Sequence, residues 1–230
     1  MNRFLGRSQD METAKKRLVN LLKLEGVVRS AEVERALLTV PRELFVPPAY
    51  SSEAYYDHPL PIPEGQTISA PHMCAIMCEA LEIRKGLRVL EIGTGSGYHS
   101  ALCAEIVSPS GEKLDGLMVS VELLKRLALY ARDNLKRAGY YERVHLIVAD
   151  GSLGAPTRPV YDRILVTAAT PRVPNELLEQ LVEEGVLVIP VGTRWHQRLF
   201  KVVKRKGRLR SEFITTCIFV PLRGRKGHQE

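Results

Sequence analysis

Between Val89 and Tyr98 the chain reads Val-Leu-Glu-Ile-Gly-Thr-Gly-Ser-Gly-Tyr, an apolar run that passes directly into a turn with glycine at 93, 95 and 97. No other stretch restricts the fold so strongly. Glycines let the backbone approach a bound molecule, and a helix that begins beyond the carboxyl end of a strand offers unpaired N–H groups to it. The spacing is Gly-x-Gly-x-Gly. A dinucleotide fingerprint places its third glycine one position later, where Tyr98 stands, and a phosphate-cradling loop needs Gly-Lys-Ser/Thr, which is absent.

The rest of the carboxyl-terminal two thirds alternates short apolar runs with helical patterns. The runs at 88–92, 117–121, 145–148, 163–166 and 186–190 have the length of buried parallel strands. Between them, Leu124, Leu127, Ala128, Ala131, Leu135 and Ala138 form one helical stripe that stops at Gly139. This alternation predicts an α/β fold with a doubly wound, mostly parallel sheet. The final runs, 199–203 and 214–220, flank the basic turn at Lys206-Gly207-Arg208 and predict an antiparallel edge hairpin. The first eighty residues read instead as a helical extension. One helix stops at Gly26, and a second follows Ser30 as N-cap up to Pro41. A long loop rich in Pro, Gly, Ser and Tyr covers 47–71, and loops of that length are usually functional. The expected organisation is a helical segment with an active-site loop (1–86), packed as one domain with a Rossmann-like core (87–222), and a basic tail (223–230).

Composition bounds the partners. Hydrophobic residues make up 45% and charged residues 26% of the 230, the average of globular proteins, and no apolar run is long enough to span a bilayer. The start of the chain has no apolar leader pattern, and four cysteines are too few for a disulfide scaffold, so a cytoplasmic location with reduced thiols is expected. The net charge of +7 is local: residues 198–230 hold ten Lys/Arg against two Glu, leaving 23 basic and 24 acidic residues elsewhere. The basic hairpin tip could hold phosphates; its composition is also that of a solvated turn, and nucleic acid is not expected as a partner.

The segment Glu91–Gly97 resembles the glycine loop of S-adenosylmethionine-dependent methyltransferases. Two acids fit the same reading. Glu122 follows the strand at 117–121, where it could accept hydrogen bonds from two ribose hydroxyls; the stretch 108–116 accounts for its distance from Gly93 as a loop insertion. Asp150-Gly151 follows the strand at 145–148, where a carboxylate could take a hydrogen bond from an adenine amino group. The strings Val-Pro-Arg-Glu-Leu-Phe-Val-Pro (40–47) and Pro-Leu-Pro-Ile-Pro-Glu-Gly-Gln-Thr-Ile-Ser-Ala-Pro-His-Met (59–73) are more specific. They resemble the protein-L-isoaspartate (D-aspartate) O-methyltransferase family, as do 161–169, 187–192 and 219–222.

The resemblance implies methyl transfer from S-adenosyl-L-methionine, leaving S-adenosyl-L-homocysteine, to the α-carboxylate of L-isoaspartyl residues, or the side-chain carboxylate of D-aspartyl residues, in damaged proteins and peptides. The ester then closes to a succinimide without the enzyme. A carboxylate with a reference pKa near ~4 is already ionised at neutral pH, so no general base is needed. The rate should come from holding a carboxylate oxygen in line with the sulfonium methyl in a dry site. The resemblance assigns Ser69 as the active-site residue, its hydroxyl positioning the carboxylate, and implies cofactor contacts from Gln66, Thr67, His72, Glu91, Gly93, Thr94, Gly95, Ser96, Gly97, Glu122, Asp150 and Gly151. Ser69 also reads as a helix N-cap ahead of Pro71. Asp57 and His58 are acid–base candidates or ordinary turn residues.

Cys74 and Cys78 share a helix face, but zinc usually takes four ligands and no second pair or histidine cluster stands nearby in sequence, so no metal is expected. Cys103 and Cys217 read as small buried hydrophobes. The chain departs from the family pattern at Cys74, where a second histidine is common, and in Arg223–His228, a basic tail that would favour acidic substrates. A monomer is expected. Two other readings stand beside this one. An RNA or other S-adenosylmethionine-dependent methyltransferase would suit the basic hairpin, but the chain lacks the Asn/Asp-Pro-Pro-aromatic string of amino-group methylation. A non-catalytic cofactor-binding module would not need the Ser69 loop.

Overall fold

The computed structural model describes residues 2–156 and 160–228. Met1, residues 157–159 of the expected core and residues 229–230 of the expected basic tail lie outside the described residues. The amino-terminal part supplies helices α1 (Asn2–Leu24) and α2 (Ala31–Thr39), the short strands β1 (Leu60–Ile62) and β2 (Gln66–Ile68), and helix α3 (Pro71–Leu81). Ser30 caps α2 as expected, its hydroxyl accepting the Val33 N–H at 3.3 Å. The segment 47–71 is more ordered than its composition suggested. Leu60 pairs with Ile68 and Ile62 with Gln66 in an antiparallel ladder, and Leu60, Ile62 and Ile68 are buried. The proline at 61 hid this two-residue alternation; it sits at an edge position, where a missing N–H costs no ladder bond.

Beyond α3 the chain forms β3 (Arg88–Ile92), α4 (Tyr98–Val107), β4 (Leu117–Glu122), α5 (Lys125–Ala138), β5 (His145–Val148), β6 (Tyr161–Val166), α6 (Asn175–Glu179), β7 (Leu181–Gly192), β8 (Gln197–Arg205) and β9 (Arg208–Cys217). Strands β3 to β9 make one sheet in the order β5-β4-β3-β6-β7-β8-β9, with β8 and β9 antiparallel and the others parallel. The five expected parallel strands are all present. Strand β7 is longer than the apolar run at 186–190, because Leu181 pairs with Tyr161 across a register shift while exposed Glu183 and Glu184 interrupt the pattern. The hairpin is shifted relative to the expected 199–203 and 214–220. Lys206 and Gly207 both take positive φ and close it, and Lys204 pairs with Leu209, the backbone a two-residue hairpin turn requires. Most of β9 is a solvent-facing edge with little apolar signal, whereas residues 219–220 leave the ladder, and the Val220 carbonyl accepts the Ala169 N–H beyond β6.

Alternate residues of the sheet feed two apolar layers. Val89 and Leu165 join Leu22, Val33, Phe45 and Ala101 on one side, while Leu90 and Ile164 join Ile92, Val119, Leu187 and Leu222 on the other. Helices α1 to α3 therefore share a core with the sheet. Chain order reverses between β3 and β6, and in open parallel sheets the crevice beyond the carboxyl ends at such a point is where ligands bind.

Candidate active site

A cleft opens at that point, between the glycine loop, the β2 segment and residues 220–223, with about 820 Å³ of free space when the open solvent at its mouth is included. Of the residues singled out in sequence, Gln66, Thr67, Ser69, Glu91, Gly93, Thr94, Gly95, Ser96, Glu122 and Gly151 line it. Gly93 adopts φ +95, and a Cβ there would stand 2.6 Å from Thr167 Oγ1, so only glycine lets β3 turn beneath β6. Gly97 has a different use from the one expected: it caps α4 with φ +88 and faces Leu135 and Ala131 of α5, where a Cβ would meet Leu135 at 3.2 Å. It sets the packing of two helices and does not line the cleft.

Beneath the glycine loop lies a buried polar network. Glu91 is fully buried, and its Oε2 accepts the hydroxyls of Ser100 and, at 2.6 Å, Ser120; Ser120 Oγ in turn lies 2.6 Å from Thr94 Oγ1. Burial disfavours the carboxylate and pushes its pKa up to about 7, although His99 and the two hydroxyls pull the other way. Glu122, at the end of β4, spans the loop. Its Oε2 accepts the Gly95 N–H and its Oε1 the Leu124 N–H, both at 3.0 Å. Glu122 lines the cleft, and each of its oxygens keeps a further lone pair with which it can accept one hydroxyl of a vicinal diol.

Ser69 sits in the segment between β2 and α3. Its hydroxyl makes no hydrogen bond to any described residue, while its carbonyl accepts Arg42 Nη2 at 2.8 Å. Arg42 is wholly buried, donates through Nε to the Ala54 carbonyl at 2.8 Å, and lies 4.9 Å from the Tyr98 ring centroid. This guanidinium fixes the Ser69 backbone to the neighbouring loop. Arg42 belongs to the 40–47 string, but its partners, 12 and 27 residues away, are not readable from that string. The N-cap reading of Ser69 is corrected: Ala70 caps α3, without a side-chain hydrogen bond.

Two expected cofactor contacts, His72 and Asp150, and the acid–base candidates Asp57 and His58 lie outside the cleft lining. His72 does not line the cleft; its Nδ1 and backbone N–H both meet Asp57 Oδ1 at 2.9 Å, tying the start of α3 to the preceding loop. That accounts for Asp57 as well, and His58 lies against Glu53 and the Pro59 carbonyl. Asp150 is likewise not among the residues that line the cleft. Its Oδ1 accepts the Ser152 N–H and hydroxyl at 3.0 and 2.6 Å, and its Oδ2 the Arg225 N–H at 2.9 Å. Burial works against this carboxylate, yet the donors from Ser152 and Arg225 outweigh it and hold its pKa low. The basic tail is thereby docked, with Arg223 lining the cleft. The cysteine reading needs correction too: His99 and Cys103 of α4 pack opposite Cys74 and Cys78.

A family model described as Protein-L-isoaspartate(D-aspartate) O-methyltransferase matches residues 12–227. A protein-L-isoaspartate O-methyltransferase of Hyperthermus butylicus is 52% identical over 220 residues, covering 94% of this chain and 91% of the relative. One from Methanopyrus kandleri is 51% identical over 218 residues, covering 94% of each. Among solved structures, a Plasmodium falciparum chain assigned as a protein-L-isoaspartate O-methyltransferase, with S-adenosyl-L-homocysteine bound, superposes with a TM-score of 0.81 at 27% identity, covering 90% of this chain and 97% of that one.

Proposed function

Since the chain belongs to the protein-L-isoaspartate (D-aspartate) O-methyltransferase family, we propose that its cleft carries out the family's methyl transfer with Ser69 as the residue that holds the acceptor carboxylate. The enzyme is an S-adenosylmethionine-dependent protein carboxyl O-methyltransferase acting on isoaspartyl residues. The cofactor supplies an electrophilic methyl group on a sulfonium.

The residues present fit that cofactor. Glu122 offers two oxygens for ribose hydroxyls, each held in place by a backbone N–H. Gly93 and Gly95 leave a side-chain-free floor. The Ser69 hydroxyl carries the reading: it lines the same cleft, has no hydrogen-bond partner among the described residues to give up, and sits on a backbone clamped by Arg42. It donates one hydrogen bond to the acceptor carboxylate and never forms a covalent bond. The carboxylate brings its own electron pair, so the site needs to orient it and exclude water. The adenine amino contact assigned to Asp150 fits less well, because that carboxylate already holds three donors; Gly151 and Leu123 line the adjoining wall instead.

The reading extends to D-aspartyl side chains as second substrates, and to a monomer working in the cytoplasm without a nucleic-acid partner. Four buried free cysteines suit a reducing compartment, and no helix among the described residues is long and apolar enough to cross a membrane. The test pairs two peptides that differ only in an isoaspartyl or normal aspartyl linkage, with labelled S-adenosylmethionine and a count of base-labile methyl esters. Label on the isoaspartyl peptide alone is expected. Ser69→Ala should lower kcat on the order of tenfold to a hundredfold with unchanged binding of S-adenosylhomocysteine; full activity in that variant would remove Ser69 from the mechanism.

A further inference from the structure

Four side chains with sulfur or imidazole donors meet between α3 and α4, outside the methyl-transfer chemistry. Cys74 and Cys78 stand four residues apart on α3, and His99 and Cys103 four apart on α4. That spacing puts both members of a pair on one helix face, and here the two faces confront each other. Cys78 Sγ lies 3.3 Å from His99 Nε2. The donor atoms of Cys78, His99 and Cys103 all fall within 4.8 Å of one another, the only such group of three among the described residues. Their exposures are 1%, 6% and 0%. Cys74, equally buried, also faces the His99 imidazole.

Packing alone explains this cluster poorly. His99 turns Nε2 to the Cys78 sulfur and leaves Nδ1 buried without a hydrogen-bond partner among the described residues, so the ring is oriented toward the sulfurs and not by a full set of hydrogen bonds. Cys78 faces both Cys103 and His99, and a thiolate is the form in which such a sulfur binds metal.

We infer that Cys74, Cys78, His99 and Cys103 form a closed tetrahedral site for a zinc ion that clamps α3 to α4. Zn–S bonds of about 2.3 Å and Zn–N bonds of about 2.0–2.1 Å place neighbouring donors roughly 3.5–3.8 Å apart. The separations among Cys78, His99 and Cys103, all within 4.8 Å, reach this range with shifts of about an ångström, and Cys74, whose thiol now points to the Ser69 carbonyl at 3.9 Å, turns about its side chain to complete the set. Three cysteines and one histidine are a usual structural donor set with no open position. His99 binds through Nε2 and keeps its proton on Nδ1. Three thiols lose their protons to solvent on binding, so zinc affinity weakens as pH is lowered. Cys74 and His99 also line the cleft, which provides the entry path. Helix α3 begins two residues after Ser69 and α4 directly after Gly97, so the ion would join the acceptor-binding segment to the glycine loop.

The test uses the full chain under reducing conditions, equilibrated with Zn2+ alone, desalted and analysed by plasma mass spectrometry. One zinc per chain is expected in the parent and in Cys217→Ser, falling below about a tenth of that in Cys74→Ser, Cys78→Ser and Cys103→Ser. Because a core serine can impair folding, Co2+ is also titrated into the parent. A tetrahedral thiolate site gives intense visible bands and sulfur-to-cobalt charge transfer. Absence of stoichiometric zinc, undiminished zinc in Cys78→Ser, a cobalt spectrum without charge transfer, or a Cys78–Cys103 disulfide in the reduced preparation would each overturn the site. None of these readouts depends on methyl transfer.

Discussion

The Glu122 carboxylate takes the Gly95 N–H on one oxygen at 3.0 Å, so the acid that ends β4 and the centre of the glycine loop after β3 are a single unit. Its second oxygen takes the Leu124 N–H, which fixes the carboxylate plane before any ligand arrives. Preorganisation of this kind lowers the ordering cost of binding.

Glu122→Gln therefore damages more than a ligand contact, because its amide group must turn an N–H toward one of two backbone donors. Hydrogen bonds to charged groups contribute about 1.5–3 kcal/mol, so affinity for S-adenosylhomocysteine should fall on the order of tenfold to a hundredfold. Isothermal titration calorimetry reads this directly, and an unchanged Kd would remove Glu122 from the site. Burial raises the Glu122 pKa, so the parent's affinity should weaken on mild acidification.

Gly93→Ala puts a Cβ 2.6 Å from Thr167 Oγ1 at φ +95. Backbone strain in that region costs about 1–3 kcal/mol, to which the clash adds. Urea unfolding should show a loss of at least about 1 kcal/mol, and adding Thr167→Ala should recover only the clash. Full recovery would mean that the backbone conformation there carries no strain.

Glu91 gives a pH signature. Its pKa rises from 4.5 to about 7 on burial, so its folded form favours the proton. The stability it permits is fully present below about pH 4.5 and is lost as pH rises through about 7, a cost of about 3 kcal/mol. Glu91→Gln keeps an acceptor for Ser100 and Ser120 and escapes that cost. In the ligand-free chain the difference in Tm between Glu91→Gln and the parent should widen in favour of the variant from about pH 4.5 to above pH 7. A pH-independent difference would count against the buried carboxylate as its origin.

The docked tail bears on substrate choice. Arg223 lines the cleft, and the tail is anchored by Arg225 on Asp150 and by Lys226, whose N–H meets Ser152 Oγ at 3.0 Å and whose Nζ lies 2.8 Å from Glu176. Arg223→Gln should raise KM for isoaspartyl peptides with acidic flanks about threefold, with little change for basic flanks, and salt should blunt the difference. Equal effects on both peptides would exclude charge selection by this residue.

The sequence by itself determined the elements and the floor of the site. Strand β3, the three glycines and the start of α4 are consecutive, so their relation is local geometry, and Glu122 follows from the end of the next strand. The five parallel strands were legible because strands buried on both faces are short and apolar, while the extent of β7 and β9 was masked by polar edge residues. Only the tertiary structure decided which side chains are spoken for. His72 is taken by Asp57 and Asp150 by Arg225, 15 and 75 residues away, and Arg42 reaches Ser69. Likewise, the facing of Cys74 and Cys78 with His99 and Cys103 follows from how α3 packs on α4. A residue's type fixes which bonds it can make, but partners far along the chain compete for it, and packing settles that competition.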